Sequence, residues 1–248
     1  MLQNFESLVL IWLGIGFITF ITLLKIPAPY GKFSKTNWGP MIPSKLGWIV
    51  MEIISPLALL YFFLNGNIEK TPTNITFISL WTLHYFNRSV IYPLRQNNPA
   101  QMPLIIAVLA FLFNVMNGYI NGTYFGSIQE YSAEYMSNWN FIVGVCLFII
   151  GAYINIKSDN ILLSLRSKSG EYKIPEGFMF RYVSFPNYFG EILEWMAFAI
   201  MTWSLAGLSF MIWTMANLVP RAIKGHQWYH NKFESYPKNR KAIFPFII

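Results

Sequence analysis

Two side chains sit where hydropathy alone would not place them, and they carry the chemistry of this sequence. Glu52 lies in the run Gly47-Trp48-Ile49-Val50-Met51-Glu52-Ile53-Ile54, about five residues, or roughly 8 Å, inside a helix that starts near Gly47. A carboxyl at that depth is beyond easy snorkelling, so it is held protonated or strongly hydrogen-bonded. Tyr85 lies in Leu83-His84-Tyr85-Phe86-Asn87-Arg88, one turn deeper than Arg88, and helical spacing puts Tyr85, Arg88 and Tyr92 on one face. A neutral carboxyl and a phenol in a dry pocket are suited to hydrogen-bonding a carbonyl oxygen while negative charge grows on it. The blander alternatives are a Glu52 that ties two helices together and a Tyr85 that belongs to an interfacial aromatic belt. His84 points elsewhere on the helix and reads as a packing residue.

A third group lies in Asn187-Tyr188-Phe189-Gly190-Glu191-Ile192-Leu193-Glu194. Glu191 and Glu194 are three apart, hence on one face of a helix start, where the dipole favours carboxylates. Beside Asn187 they could also orient an amide, a ribose or an arginine. Asn155, Ser158 and Asp159 close another apolar block, and Tyr30, Arg166, Tyr172, Tyr229 and Tyr236 lie in segments otherwise rich in Lys and Arg. A basic surface lined with aromatic and amide groups suits a cofactor that carries phosphate.

The elements that must position these groups are membrane helices. Of 248 residues, 54% are hydrophobic and 12% charged, about half the charge of an average soluble domain. Soluble α/β, disordered, disulfide-scaffold and solenoid classes drop out. Apolar blocks run from Ser7 to Leu24, Gly47 to Leu64, Thr73 to Phe86, Met102 to Tyr119, Phe141 to Ile156, Gly190 to Leu205 and Gly207 to Val219. The last two form one run too long for a single crossing, with Gly207 as the expected reversal. The first lacks a basic leader and a small-residue cleavage site, and is expected to be a retained helix. Cys146 lies inside an apolar run and is expected to pack.

The expectation is therefore an all-α integral membrane protein with seven transmembrane helices and a single domain over residues 1–248. Alternation of seven helices puts every Lys and Arg except Lys70 on one side, and the opposite loop from Gly122 to Asn140 carries Glu130 and Glu134 without a cation. The positive-inside rule then places the N-terminus outside and the C-terminus in the cytoplasm. The net charge of +7 is thereby explained by topology, and no fold motif supports a nucleic-acid partner. No Gly-x-Gly-x-x-Gly or phosphate loop is present, so any nucleotide is held by a surface of another kind. His226 and His230 are four apart, but no metalloprotease pattern or cysteine cluster accompanies them, and no metal is expected. The seventh block has no Lys for a retinal Schiff base, and no inverted repeat suggests a transporter. A small transporter or a lipid-binding receptor would still want polar groups among its helices, while leaving the Asn, Asp, Arg and Tyr cluster unexplained.

These residues, in order and spacing, resemble the steroid 5α-reductase (3-oxo-5α-steroid 4-dehydrogenase) family of membrane reductases over nearly the whole chain. The matching elements are Tyr30-Gly31-Lys32, Trp48 with Glu52, His84-Tyr85-Phe86-Asn87-Arg88 with Tyr92, Asn117-Gly118-Tyr119, and Asn155-Ile156-Lys157-Ser158-Asp159 followed by Leu165-Arg166. They continue through Tyr172-Lys173-Ile174-Pro175, the segment from Asn187 to Trp195, Arg221 with Tyr229, and the tail from Tyr236-Pro237-Lys238-Asn239-Arg240 to Ile247. The resemblance implies hydride transfer from NADPH to the β carbon of an enone, reducing the Δ4 bond of a 3-oxo steroid. It implies that Glu52 and Tyr85 bind the 3-keto oxygen and that Trp48 lines the steroid cavity. It places Tyr30, Lys32, Asn155, Asp159, Arg166, Tyr172, Asn187, Glu191, Arg221, Tyr229 and Arg240 around the cofactor. A reductase of another lipid enone, a polyprenol or an enoyl thioester is the nearest alternative. No obligate protein partner is implied beyond substrate and membrane lipid.

Two positions depart from the pattern. Met51 stands where steroid-reducing members commonly carry Gln, which bears on substrate choice. A histidine-rich run beside Arg221 is reduced to Lys224-Gly225-His226. Compact length and short outer loops suit a bacterial member in the inner membrane; a eukaryotic one would lie in the endoplasmic reticulum.

Overall fold

The computed structural model describes residues 2–96, 100–165 and 171–248. Among them the long elements are helices: α1 (Leu2–Lys25), α2 (Ser44–Leu64), α3 (Pro72–Phe86), α4 (Leu104–Thr123), α5 (Trp139–Leu165), α6 (Pro186–Thr202) and α7 (Leu205–Lys232). Each apolar block of the sequence overlaps one of them, but Met102 belongs to a strand and the block from Gly190 to Leu205 runs past the end of α6 at Thr202. Among the described residues four stretches are long and apolar enough to cross a membrane: α1, α2, Leu104–Ile128 and α5. On α1, Ile11, Phe17 and Ile18 are about two-thirds exposed. An apolar helix that shows such side chains outward is built for lipid rather than water. Cys146, expected to pack, is instead on the exposed face of α5.

The chain divides into two compact units. The first holds the residues up to Val9 with Ala28–Ile142; the second holds Leu10–Pro27 with Val143–Ile248. In the first, strands Met41–Pro43 and Gln101–Pro103 pair antiparallel and lead directly into α2 and α4. The two helices then run side by side in the same direction. A Cβ on Gly118 would fall 2.6 Å from the Ala58 Cβ, one on Gly122 2.6 Å from the Leu59 carbonyl oxygen, and one on Gly126 2.8 Å from the Phe63 carbonyl oxygen. Glycine every fourth residue therefore lets two backbones touch, the usual device of helices that pack without a hydrophobic driving force.

α2 carries Pro56 in its interior, and a proline gives no amide hydrogen to the carbonyl four residues back, at Glu52. α3 starts with Thr71 accepting from the Asn74 amide at 3.3 Å and with Pro72 at its first position. Past Phe86 it loosens into a π-helical turn, Asn87–Ile91, then a last turn from Tyr92 to Leu94.

In the second unit α5 and α6 run antiparallel at backbone contact. A Cβ on Gly190 would lie 2.5 Å from the Asn155 amide nitrogen, and one on Gly144 2.5 Å from the Met201 Cβ. The reversal between α6 and α7 falls at Trp203 rather than at Gly207. Trp203 takes the left-handed conformation (φ 46, ψ 43), at a cost of about 1–2 kcal/mol for a residue with a Cβ. Ser204 then caps α7, its Oγ accepting from the Gly207 amide at 3.0 Å. Gly207 is needed one turn later, because a Cβ there would fall 2.6 Å from Thr202 Oγ1. The C-terminal tail pairs with the strand before α6: the Ser184 amide donates to Lys241 O at 2.8 Å and the Lys241 amide to Tyr182 O at 2.9 Å.

Candidate active site

The acid and the phenol both belong to the first unit. α2 begins at Ser44, three residues before the expected start, so Glu52 is eight residues in, or about 12 Å along the helix; it is half-buried. Tyr85 is 5% exposed. Its ring stacks on Trp81 at 5.7 Å and meets the edge of His84 at 5.2 Å, and the Trp81 indole is fixed by donating to Ser55 Oγ on α2 at 3.1 Å. The Tyr85 hydroxyl donates to Asn114 Oδ1 at 3.2 Å, and Asn114 Nδ2 donates to Met51 O at 2.6 Å. Through Asn114, the phenol is tied to the α2 backbone one residue before Glu52.

Toward the start of α2, Arg88 is buried, with its guanidinium 5.0 Å from the Trp48 ring centroid and 5.6 Å from that of Tyr92. Arg88 lies within the π turn and Tyr92 directly after it. Tyr30 lies 6.1 Å from Trp48, so it and the half-buried Lys32 belong to this unit. The Trp48 indole N–H is buried without a hydrogen-bond partner among the described residues.

The remaining residues named from the sequence gather in the second unit. Asn155 Nδ2 donates to Asn187 O at 2.9 Å, and Asn187 Nδ2 donates to Asp159 Oδ1 at 3.0 Å. The close α5–α6 contact at Gly190 makes this chain of amides reachable. Glu191 is half-buried in the same first turns of α6, while Glu194 is 2% exposed. Arg221 on α7 is buried and donates from Nε to the Tyr188 hydroxyl at 3.0 Å. Tyr172 meets the edge of Trp228 at 5.0 Å. Tyr229 stacks on Tyr236 at 5.1 Å. Arg240 is 6% exposed and lies 5.1 Å from the Tyr236 ring, with Nε and Nη1 buried and lacking hydrogen-bond partners among the described residues. Arg166 lies outside the described residues.

One array was not foreseen. The Tyr236 hydroxyl donates to Ser184 Oγ at 2.6 Å, and Ser184 Oγ lies 2.6 Å from His226 Nδ1. The Ser184 hydroxyl donates to Nδ1 in one imidazole tautomer and accepts from Nδ1–H in the other. His226 lies beyond the apolar part of α7, and its pKa is lowered to about 4 by burial first, then by His230, Arg240 and Lys241. A base whose folded pKa is depressed contributes stability that is complete above its unfolded value, near 6.5, and fades as pH falls toward 4. The midpoint of thermal inactivation is expected to drop across that window, and His226→Gln to flatten the drop. A wild-type-like pH dependence in the variant would clear His226 of that part. Among the described residues no three His, Cys, Asp or Glu side chains are grouped to hold a metal.

A helical scaffold with lipid-facing apolar side chains, a buried phenol tied through Asn114 to the backbone one residue before an acid, and buried arginine and amide side chains in its second unit points to a membrane enzyme. Comparison with known sequences makes that class specific: this chain belongs to the 3-oxo-5-alpha-steroid 4-dehydrogenase family, oxidoreductases acting on a CH–CH group, whose sequence profile matches residues 100–248. It is 43% identical over 238 residues to the steroid 5-alpha-reductase DET2 of Gossypium hirsutum, covering 92% of each chain. It is 37% identical to 3-oxo-5-alpha-steroid 4-dehydrogenase 1 of Rattus norvegicus, covering 94% of this chain and 91% of the relative. The Homo sapiens enzyme of the same name is 34% identical, covering 94% and 92%.

Sequence reasoning missed Asn114, the Ser184–His226–Tyr236 array and the glycine repeat at 118, 122 and 126. Asn114 was detectable as a carboxamide inside an apolar helix, and the glycines by their four-residue period.

Proposed function

We propose that this chain reduces the Δ4 double bond of a 3-oxo steroid with NADPH. The observation that carries the reading is the buried Tyr85 hydroxyl tied to the α2 backbone beside Glu52, in a chain of this family. Hydrogen bonds from the carboxyl of Glu52 and the phenol of Tyr85 to the 3-keto oxygen strengthen as that oxygen takes on enolate character, which lowers the barrier selectively. Trp48 lines the steroid cavity, its indole N–H offering a donor to a polar group of the substrate.

NADPH suits the polar residues of the second unit. Arg240 presents buried N–H groups that a phosphate would satisfy, and the Arg221 guanidinium adds a second cation. The amides of Asn155 and Asn187, with Asp159, Glu191, Tyr172 and Tyr229, supply donors, acceptors and stacking faces for ribose and base. Arg166, Tyr30 and Lys32 complete the proposed set of cofactor residues, as the sequence resemblance implies. When bound, NADPH would supply a hydride to the β carbon of the enone, leaving NADP⁺, and a proton taken up at the α carbon would complete the reduction. The helices exclude water, which would otherwise weaken every polar contact to the carbonyl oxygen.

Seven spans, an outside N-terminus and a cytoplasmic cofactor side complete the proposal, with the whole chain acting as one reductase. The segregation of Lys and Arg supports it. So does the parallel course of α2 and α4, the second and fourth of the apolar helices, which alternation requires. The test is to incubate the purified protein with NADPH and a 3-oxo-Δ4 steroid, following NADPH absorbance and a product two mass units heavier. Stoichiometric conversion is expected. Turnover confined to a polyprenol or an enoyl thioester would overturn the steroid assignment, and the absence of NADPH consumption would overturn the reductase.

A further inference from the structure

Asn114 has no part in the chemistry above, yet it is a carboxamide 3% exposed inside α4. Such a group is costly in hydrocarbon unless both of its ends are bonded, and both are: Nδ2 to Met51 O and Oδ1 to the Tyr85 hydroxyl. We infer that Asn114 is a positioning residue for the reduction, which sets the place of the Tyr85 phenol oxygen relative to the turn of α2 that carries Glu52. The inference rests on the role proposed for Tyr85.

The two bonds are unequal, and the inequality fits the task. At 2.6 Å the bond to Met51 is short for an amide donor, while 3.2 Å is long for a hydroxyl donor. The carboxamide is planar, so anchoring its nitrogen on the α2 backbone fixes its oxygen. The arm therefore sets where the phenol oxygen rests before a ketone enters; the phenol has one hydrogen, so donating it to the ketone gives up the bond to Oδ1, and the 3.2 Å length of that bond makes the exchange cheap. Ser55 and Trp81 steady the ring through the indole stacked on it, and Asn114 bonds the hydroxyl. A misplaced phenol loses most where its hydrogen bond matters most, in the charged transition state. The effect belongs in kcat, whereas KM, set mainly by apolar burial of the substrate, stays nearly constant.

The test is a double-mutant cycle in the full-length protein, with NADPH binding measured on every preparation. Asn114→Leu is expected to lower kcat by about 10- to 100-fold with KM within about twofold of wild type, and Asn114→Ala to give the same pattern. In the Tyr85→Phe background neither change should reduce kcat further, because the arm then has no hydroxyl to hold. An equal loss in both backgrounds, an effect confined to KM, an unchanged kcat, or loss of NADPH binding in both Asn114 variants would assign the residue to packing and overturn the inference. Wild-type turnover by Tyr85→Phe alone would instead remove the role of Tyr85 itself, so the two failures are distinguishable.

Discussion

Glu52→Gln and Tyr85→Phe are each expected to cut kcat by about 100- to 1,000-fold, the usual result of removing one donor to a developing oxyanion, with NADPH affinity within about twofold of wild type. The amide of Gln fills the same space but is a far weaker acid than a carboxyl, so its hydrogen bond gains less as the oxygen becomes negative. Phe keeps the ring that stacks on Trp81 and meets His84, so the loss in Tyr85→Phe is that of the hydroxyl. Single-turnover kinetics with saturating NADPH make the measurement. Near-wild-type rates in both variants would take the pair out of the chemistry while leaving the family assignment untouched.

The second large effect is on the cofactor. Arg221→Ala and Arg240→Ala are each expected to weaken NADPH binding roughly 10- to 150-fold, the equivalent of one hydrogen bond to a charged group at about 1.5–3 kcal/mol. Arg240→Lys should recover only part of the loss, because an ammonium lacks the planar fork that meets two oxygens at once. Fluorescence titration with NADPH reads the change directly. An unaltered affinity in both alanine variants would show that the phosphates are held elsewhere.

Much of the architecture was legible because lipid imposes a simple pattern. Apolar blocks located every long helix, and the run from Ile192 to Val219 announced a reversal. Its place, Trp203, was not legible, since a left-handed tryptophan runs against local preference and is held by the Ser204 cap and the tight packing at Gly207. Hydropathy also started α2 at Gly47, because Ser44 and Lys45 are polar; the helix is in fact set by the strand that precedes it. The acid and the phenol could be found from their types and depth. The link from the phenol through Asn114 to the Met51 carbonyl could not, because it depends on α2 and α4 running in register, and spacing along one helix says nothing about its neighbour. The π turn at Asn87–Ile91 likewise escapes a reading that assumes one helical period throughout. Around the second unit the residue types were plain, but the tail that carries Tyr236 and Arg240 is placed by backbone pairing with residues 182–185, for which sequence offers no local sign.

The glycines at 118, 122 and 126 bear on how genetic data for this protein should be read. Any missense change at a glycine codon adds at least a methyl group, and here it would land on the backbone or side chain of α2. A saturation screen scored by growth or product yield will therefore show a band of null alleles along this seam, as dense as the one around the carboxyl and the phenol. Those alleles will report lost assembly, and only a parallel readout of protein abundance will keep the seam from being mistaken for a ligand pocket.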